Sequence, residues 1–392
     1  MNNRYRTTFV ILTILLVLTV GTALAQNAPP AAERPQGPAQ PTLGPTAFPT
    51  GEGAWIAPPG IAVSFNRATG AANYALPIQP IDGSREQIAR FDHWRKNPYP
   101  GTGPYPATRE ENNELPTHTL YYPADMTKVS GKMPVVLFAN GGCRNTSVEF
   151  TRFLGEIASN GYFVAAMGRS DIPFTVVITG APLGETRLVG ERKPGDTRPL
   201  QNNSPTDMLK GLDYAIAENG RQGSKFFGKL DTTKVVVLGQ SCGGGQAFNA
   251  ARDPRVTTVV ALNSTFRSHK QPAMPSSMSI VAGPSSYADW FAEDLKIPGA
   301  IFTGGPADAR AYTNGDINYE AMSGAQPAVK VDMPLLGHTG AYPMPDVRWT
   351  NAVLAWLNFT LKNDPNAKAM FAGEKCGLCS DPDIWVKAKG IK

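Results

Sequence analysis

Residues 234–247 read Lys-Val-Val-Val-Leu-Gly-Gln-Ser-Cys-Gly-Gly-Gly-Gln-Ala, and they restrict what this chain can fold into more than any other stretch. Val235, Val236, Val237 and Leu238 form an unbroken apolar run, which suits a strand covered on both faces, as in a parallel sheet. The run ends in Gly239-Gln240-Ser241-Cys242-Gly243, a Gly-x-Ser-x-Gly pentapeptide. On its own that pentapeptide is also what a Gly-rich loop looks like. Between a buried strand and a helix it places the serine on a tight turn with its hydroxyl exposed above the sheet. The flanking glycines suit a strained turn in which backbones run too close for a Cβ. The next helix aims its N-terminus, with free N–H groups, at a negative charge developing beside the serine. The pattern therefore predicts Ser241 as a nucleophile.

The first 25 residues are expected to lie outside the fold. Arg4 and Arg6 supply a basic start, residues 9–20 an apolar core, and Ala23-Leu24-Ala25 a small-x-small cleavage site, the arrangement of an export signal. The apolar run is short for a bilayer span, so a cleaved signal (1–25) is favoured over an anchor and no membrane attachment is expected after cleavage. The mature chain is then secreted or periplasmic, where disulfides persist. Residues 26–60 carry nine prolines among many Ala and Gly, which reads as an extended linker. Residues 61–392 remain for one catalytic domain with a C-terminal tail. The formal net charge of +5 includes Arg4 and Arg6, and no Lys/Arg run is interleaved with aromatics, which disfavours a nucleic-acid partner.

Along the domain, the stretches at 105–109, 117–122, 134–139, 162–167, 257–262, 299–303 and 329–333 read as strands, most of the later ones continuously apolar, and residues 168–203 as a long surface loop. A helix is expected at 84–96. Another follows the strand at 134–139, with Phe150, Phe153, Leu154, Ile157 and Ala158 on one face. A third opens at Ser204-Pro205-Thr206-Asp207, with Ser204 as its cap. Trp349, Ala352, Val353, Trp356, Leu357 and Leu361 mark a closing amphipathic helix. Strands alternating with helices predict an α/β fold, a mostly parallel central sheet with helices on both faces and antiparallel strands at its start.

A serine nucleophile needs a base, and the base an orienting acid. The chain has four histidines. His93 and His118 precede the central strands, and His269 leaves no room for an acid-bearing strand after the serine. His338, in a glycine-flanked loop after the last strand, fits the order serine, acid, histidine. Asp308 is the first carboxylate in the loop after the strand at 299–303, with Asp316 as the alternative; Asp332, inside the last strand, reads as a surface or pairing residue. The oxyanion of an acyl-transfer intermediate needs two backbone donors. Cys242, after the nucleophile, and Cys143, in Asn140-Gly141-Gly142-Cys143, stand where those donors belong. Two residues aimed at one oxygen lie near disulfide distance, so Cys143 and Cys242 are either bridged or two small buried thiols. Cys376 and Cys379 are a tail disulfide or two free thiols, since a redox Cys-x-x-Cys would follow a strand and open a helix. Neither a metal nor a cofactor is implied.

Gly-Gln-Ser-Cys-Gly-Gly-Gly, Asn-Gly-Gly-Cys, Gly-Gly-Pro-Ala-Asp, Gly-His-Thr and the helix-to-strand passage at 156–163 resemble the α/β-hydrolase superfamily. Within it they are most similar to secreted esterases related to dienelactone hydrolases and polyester (cutinase-like) hydrolases. The resemblance covers about residues 103–362. It implies the α/β-hydrolase fold, a triad of Ser241, Asp308 and His338, and oxyanion donors at Cys143 and Cys242. It also offers Phe266 for one of two aromatic pocket positions; Cys143 stands at the other. The implied activity is a serine hydrolase cleaving small-molecule or polymeric carboxylic esters through an acyl-enzyme. An acyltransferase on the same fold, or a binding protein without catalysis, are the other readings.

Overall fold

The continuous apolar runs become strands buried on both faces. The computed structural model describes residues 93–144, 146–170, 205–270, 290–334, 336–338 and 347–391. It also describes four short strands, Val63–Asn66, Ala71–Tyr74, Phe174–Val177 and Thr186–Val189. The expected signal, the whole of the linker, the cap at Ser204 and most of the helix at 84–96 lie outside these residues.

Nine strands form one sheet: β1 (Ala107–Glu111), β2 (His118–Pro123), β3 (Met133–Ala139), β4 (Phe163–Met167), β5 (Leu230–Gln240), β6 (Thr258–Leu262), β7 (Gly299–Thr303), β8 (Ala328–Asp332) and β9 (Trp385–Lys389). Their order across the sheet is β9-β8-β7-β6-β5-β3-β4-β2-β1. From β4 to β8 every pairing is parallel, while β1, β2 and β9 pair antiparallel. This is a mixed, mostly parallel sheet of an α/β fold.

Successive residues of a strand face opposite sides. On one side Val136, Phe138, Val236 and Leu238 pack with helices α1 (Thr151–Ser159) and α5 (Val347–Lys362), whose Trp349 and Trp356 are fully buried. On the other, Val135, Leu137, Val235 and Val237 meet α2 (Pro205–Gly220), α3 (Cys242–Ala250) and α4 (Ala309–Ala321). A short helix α6 (Pro365–Ala369) follows α5 and is capped by Asp364, whose side chain accepts from the backbone N–H groups of Asn366 and Ala367. Burial of each such large side chain stabilises the fold by about 1.5–3 kcal/mol.

Three features depart from the sequence expectations. The stretch 168–203 holds two strands, Phe174–Val177 and Thr186–Val189, paired as an antiparallel hairpin; both are rich in β-branched residues, which suit extended backbone. Helix α4 has weak apolar periodicity and a glycine within it, so its pattern is easy to miss. Strand β9 is short and carries Lys387 and Lys389, side chains that keep an edge strand from pairing further.

The sheet has one switch point. The chain leaves β3 toward β4 on one side and leaves β5 toward β6 on the other, so a crevice opens between the C-terminal ends of β3 and β5. In open α/β sheets ligands occupy such a crevice. Among the described residues no helix is long and apolar enough to cross a membrane.

His118, at the start of β2, is fully buried, and burial pushes its imidazole down to about 4, with Asp207 opposing the shift and Lys210 adding to it. An unfolded imidazole titrates near ~6.5. As pH falls from there toward 4, only the unfolded chain takes up a proton, so stability drops by about 2–3 kcal/mol and is regained as pH rises. Urea unfolding at neutral and at mildly acidic pH should show this loss in the parent. A His118→Gln protein should lack that share of the loss; an unchanged pH slope in the variant would rule out His118 as its source.

Candidate active site

Ser241 sits between β5 and α3 with φ 53° and ψ −118°, a strained conformation for a non-glycine residue. Packing requires it: a Cβ on Gly239 would collide with the Gly243 carbonyl, and one on Gly243 with the Ala139 carbonyl. The turn is held by Ser241 N–H donating to Leu262 O (2.9 Å) and by Ser264 Oγ donating to Ser241 O (2.7 Å). The hydroxyl is thereby presented at the crevice, at the N-terminus of α3.

His338, in the loop after β8, stands with Nε2 2.9 Å from Ser241 Oγ. Its Nδ1 lies 2.6 Å from Asp308 Oδ1, in the loop after β7. Three groups from sequence positions 241, 308 and 338 are thus aligned. A carboxylate only accepts, so the imidazole proton belongs on Nδ1, which leaves the Nε2 lone pair for the serine O–H. The Asp308 carboxylate is buried, whereas the His338 side chain is 46% exposed, so a substrate can reach the ring.

Asp308 Oδ2 accepts from Gly304 N–H (2.9 Å) and from Asn263 Nδ2 (2.8 Å). The same Asn263 nitrogen donates to Gly337 O (2.8 Å), next to His338. Gln240, just before the serine, donates from Nε2 to His338 O (2.9 Å). Its side-chain oxygen faces Gly141, where a Cβ would strike it.

Across the crevice, Gly141–Cys143 forms a tight turn with Gly142 at φ 63° and Cys143 at φ 49°. The Arg144 guanidinium braces the turn through Nε to Gly141 O (3.1 Å) and a two-pronged contact with the Glu149 carboxylate, one arm at 2.6 Å. Cys143 and Cys242 form a disulfide with Cα atoms 5.3 Å apart, bridging 99 positions of sequence and both sides of the crevice. Cys376 and Cys379 form a second one in the tail.

No family model matches this chain. Over 152 residues it is 32% identical to a Fusarium sp. protein named Hydrolase LUC6. The similarity is to a hydrolase. The matched stretch is 39% of this chain and 31% of that protein, so the chain spans less than a third of its relative's length.

The remaining candidates lie elsewhere. Phe266 is a core residue, 2% exposed and stacked on Phe248 at 4.6 Å, rather than part of an open pocket wall. The His269 ring stacks on Phe291 at 3.5 Å. Asp316 lies on α4 and pairs with Lys387 (2.7 Å). Asp332 is buried rather than at the surface: Lys330 Nζ lies 2.5 Å away and Thr303 Oγ1 donates to it, while burial raises its carboxyl above the ordinary range. Sequence reasoning missed Gln240, Asn263, Ser264 and the Arg144–Glu149 brace. The one signal available was that Asn263 and Ser264 are polar residues directly past an apolar strand.

Proposed function

We propose that this protein is a secreted serine hydrolase of carboxylic esters, built on the α/β-hydrolase fold. The observation that carries the reading is the line from Ser241 Oγ through His338 to Asp308, with contacts of 2.9 and 2.6 Å. The strand order, with the serine at the switch point, and the similarity to a protein named a hydrolase support it. Export is supported by the basic, apolar, small-x-small order of the first 25 residues and by the two disulfides.

In this reading His338 Nε2 takes the Ser241 proton as Oγ attacks the ester carbonyl. The oxyanion forms between the backbone N–H groups of Cys143 and Cys242, near the positive end of α3. Asp308 stabilises the imidazolium, which then protonates the departing alcohol. Water, deprotonated by His338, releases the acid from the acyl-enzyme.

A fluorophosphonate probe should label Ser241, as read by peptide mass spectrometry, and block hydrolysis of p-nitrophenyl esters. His338→Ala should abolish both, while His269→Ala should leave the rate within about twofold, being a surface change away from the site. Labelling at another serine, or the reverse behaviour of the two histidine variants, would displace this reading.

A further inference from the structure

We propose that Asn263 is a positioning residue that holds the acid and the base in register, an inference that rests on the serine-hydrolase reading above. Its amide nitrogen has two hydrogens, and the structure aims one at Asp308 Oδ2 and the other at Gly337 O, each at 2.8 Å. One side chain thus ties the loop after β7 to the loop after β8. These are the loops that carry Asp308 and His338.

Asn263 is itself firmly placed. It is 1% exposed, and its backbone N–H donates to Phe302 O on β7 (2.7 Å). Its φ of 46° is left-handed, a region asparagine tolerates better than most residues. A leucine or alanine here would be strained and would also leave a buried carboxylate oxygen with one donor fewer. Serving as a turn residue with a left-handed φ requires only the backbone. Pointing the amide at a buried carboxylate, and at the carbonyl next to the base, requires the side chain.

The physical consequence is directional. With Oδ2 held by Asn263 and Gly304, the carboxylate cannot rotate, so Oδ1 faces His338 Nδ1 and the ring faces Ser241. Loss of the amide leaves Oδ2 with the Gly304 N–H alone and the His338 loop without one of its ties, so the carboxylate and the ring are held less closely in line. Substrate contacts are untouched, so the effect belongs in kcat and not in KM.

Asn263→Gly separates the two roles, because glycine accepts the left-handed φ while lacking the amide. Asn263→Asp keeps the shape but replaces the donors with a second carboxyl against Asp308. Both proteins are compared with the parent and with Ser241→Ala by thermal melting, by kcat and KM on a p-nitrophenyl ester, and by the far-downfield proton resonance of the His338–Asp308 hydrogen bond. Expected are folded proteins with kcat lower by about 10- to 100-fold, KM within about threefold, and a resonance shifted or lost through exchange. Ser241→Ala should be inactive yet keep that resonance. Parent-like kcat in both Asn263 variants, a rise confined to KM, or an unmoved resonance in whichever variant folds would overturn the proposal. An active Ser241→Ala would defeat the hydrolase reading instead, and the resonance would still decide whether Asn263 positions the pair.

Discussion

Ser241→Ala is expected to remain folded while ester hydrolysis falls on the order of 10³-fold or more. The hydroxyl lies at the crevice, where its contact is with His338 Nε2, and contributes little to packing. The strained turn is held by backbone and by Ser264, neither of which depends on Oγ. If Ser241, His338 and Asp308 are the nucleophile, base and acid proposed above, removing the first disables the set without loosening the fold. Turnover of p-nitrophenyl acetate, with circular dichroism and thermal melting as controls, measures the outcome. A folded variant that turns over at near the parent rate would mean that the nucleophile lies elsewhere.

Removing the Cys143–Cys242 bridge, as Cys143→Ala with Cys242→Ala, should lower both stability and rate. The bridge spans 99 positions, and closing a loop of that size stabilises a fold by up to ~4–5 kcal/mol in the chain-entropy account. A loss of about 3–5 kcal/mol in urea unfolding is expected, because packing around the turn survives. The rate should fall about 10-fold with KM little changed. The two proposed oxyanion donors then belong to segments no longer tied together, and loss of one donor outright costs about 10²–10³. Alkylation of the unreduced protein should leave Cys143 and Cys242 unmodified. Alkylation of both in fully active protein would remove the bridge from the account, and a double variant with parent stability and rate would remove its importance.

The sequence by itself determined the layered α/β architecture. Runs such as Val235–Leu238 have no polar face, so both sides must be covered, and only strands alternating with helices supply that cover. It also offered Ser241, His338 and, ahead of Asp316, Asp308 as candidates, because a local motif marks the serine and the chain order of strands leaves few places for the other two; the structure brings these three side chains within hydrogen-bond distance, serine to histidine and histidine to aspartate. The weakly periodic α4 and the short charged β9 were not legible, since tertiary contacts rather than local pattern stabilise them. Nor was the burial of Phe266: its stacking on Phe248 depends on how α3 seats against the sheet. What only the tertiary structure decided is how the loops after β5, β6, β7 and β8 close on one another. Asn263, Gln240 and Ser264 act between segments 23 to 98 positions apart, and such hydrogen bonds leave no trace in local composition. A directional contact of under 3 Å needs both partners already fixed in space, and only the packed sheet fixes them.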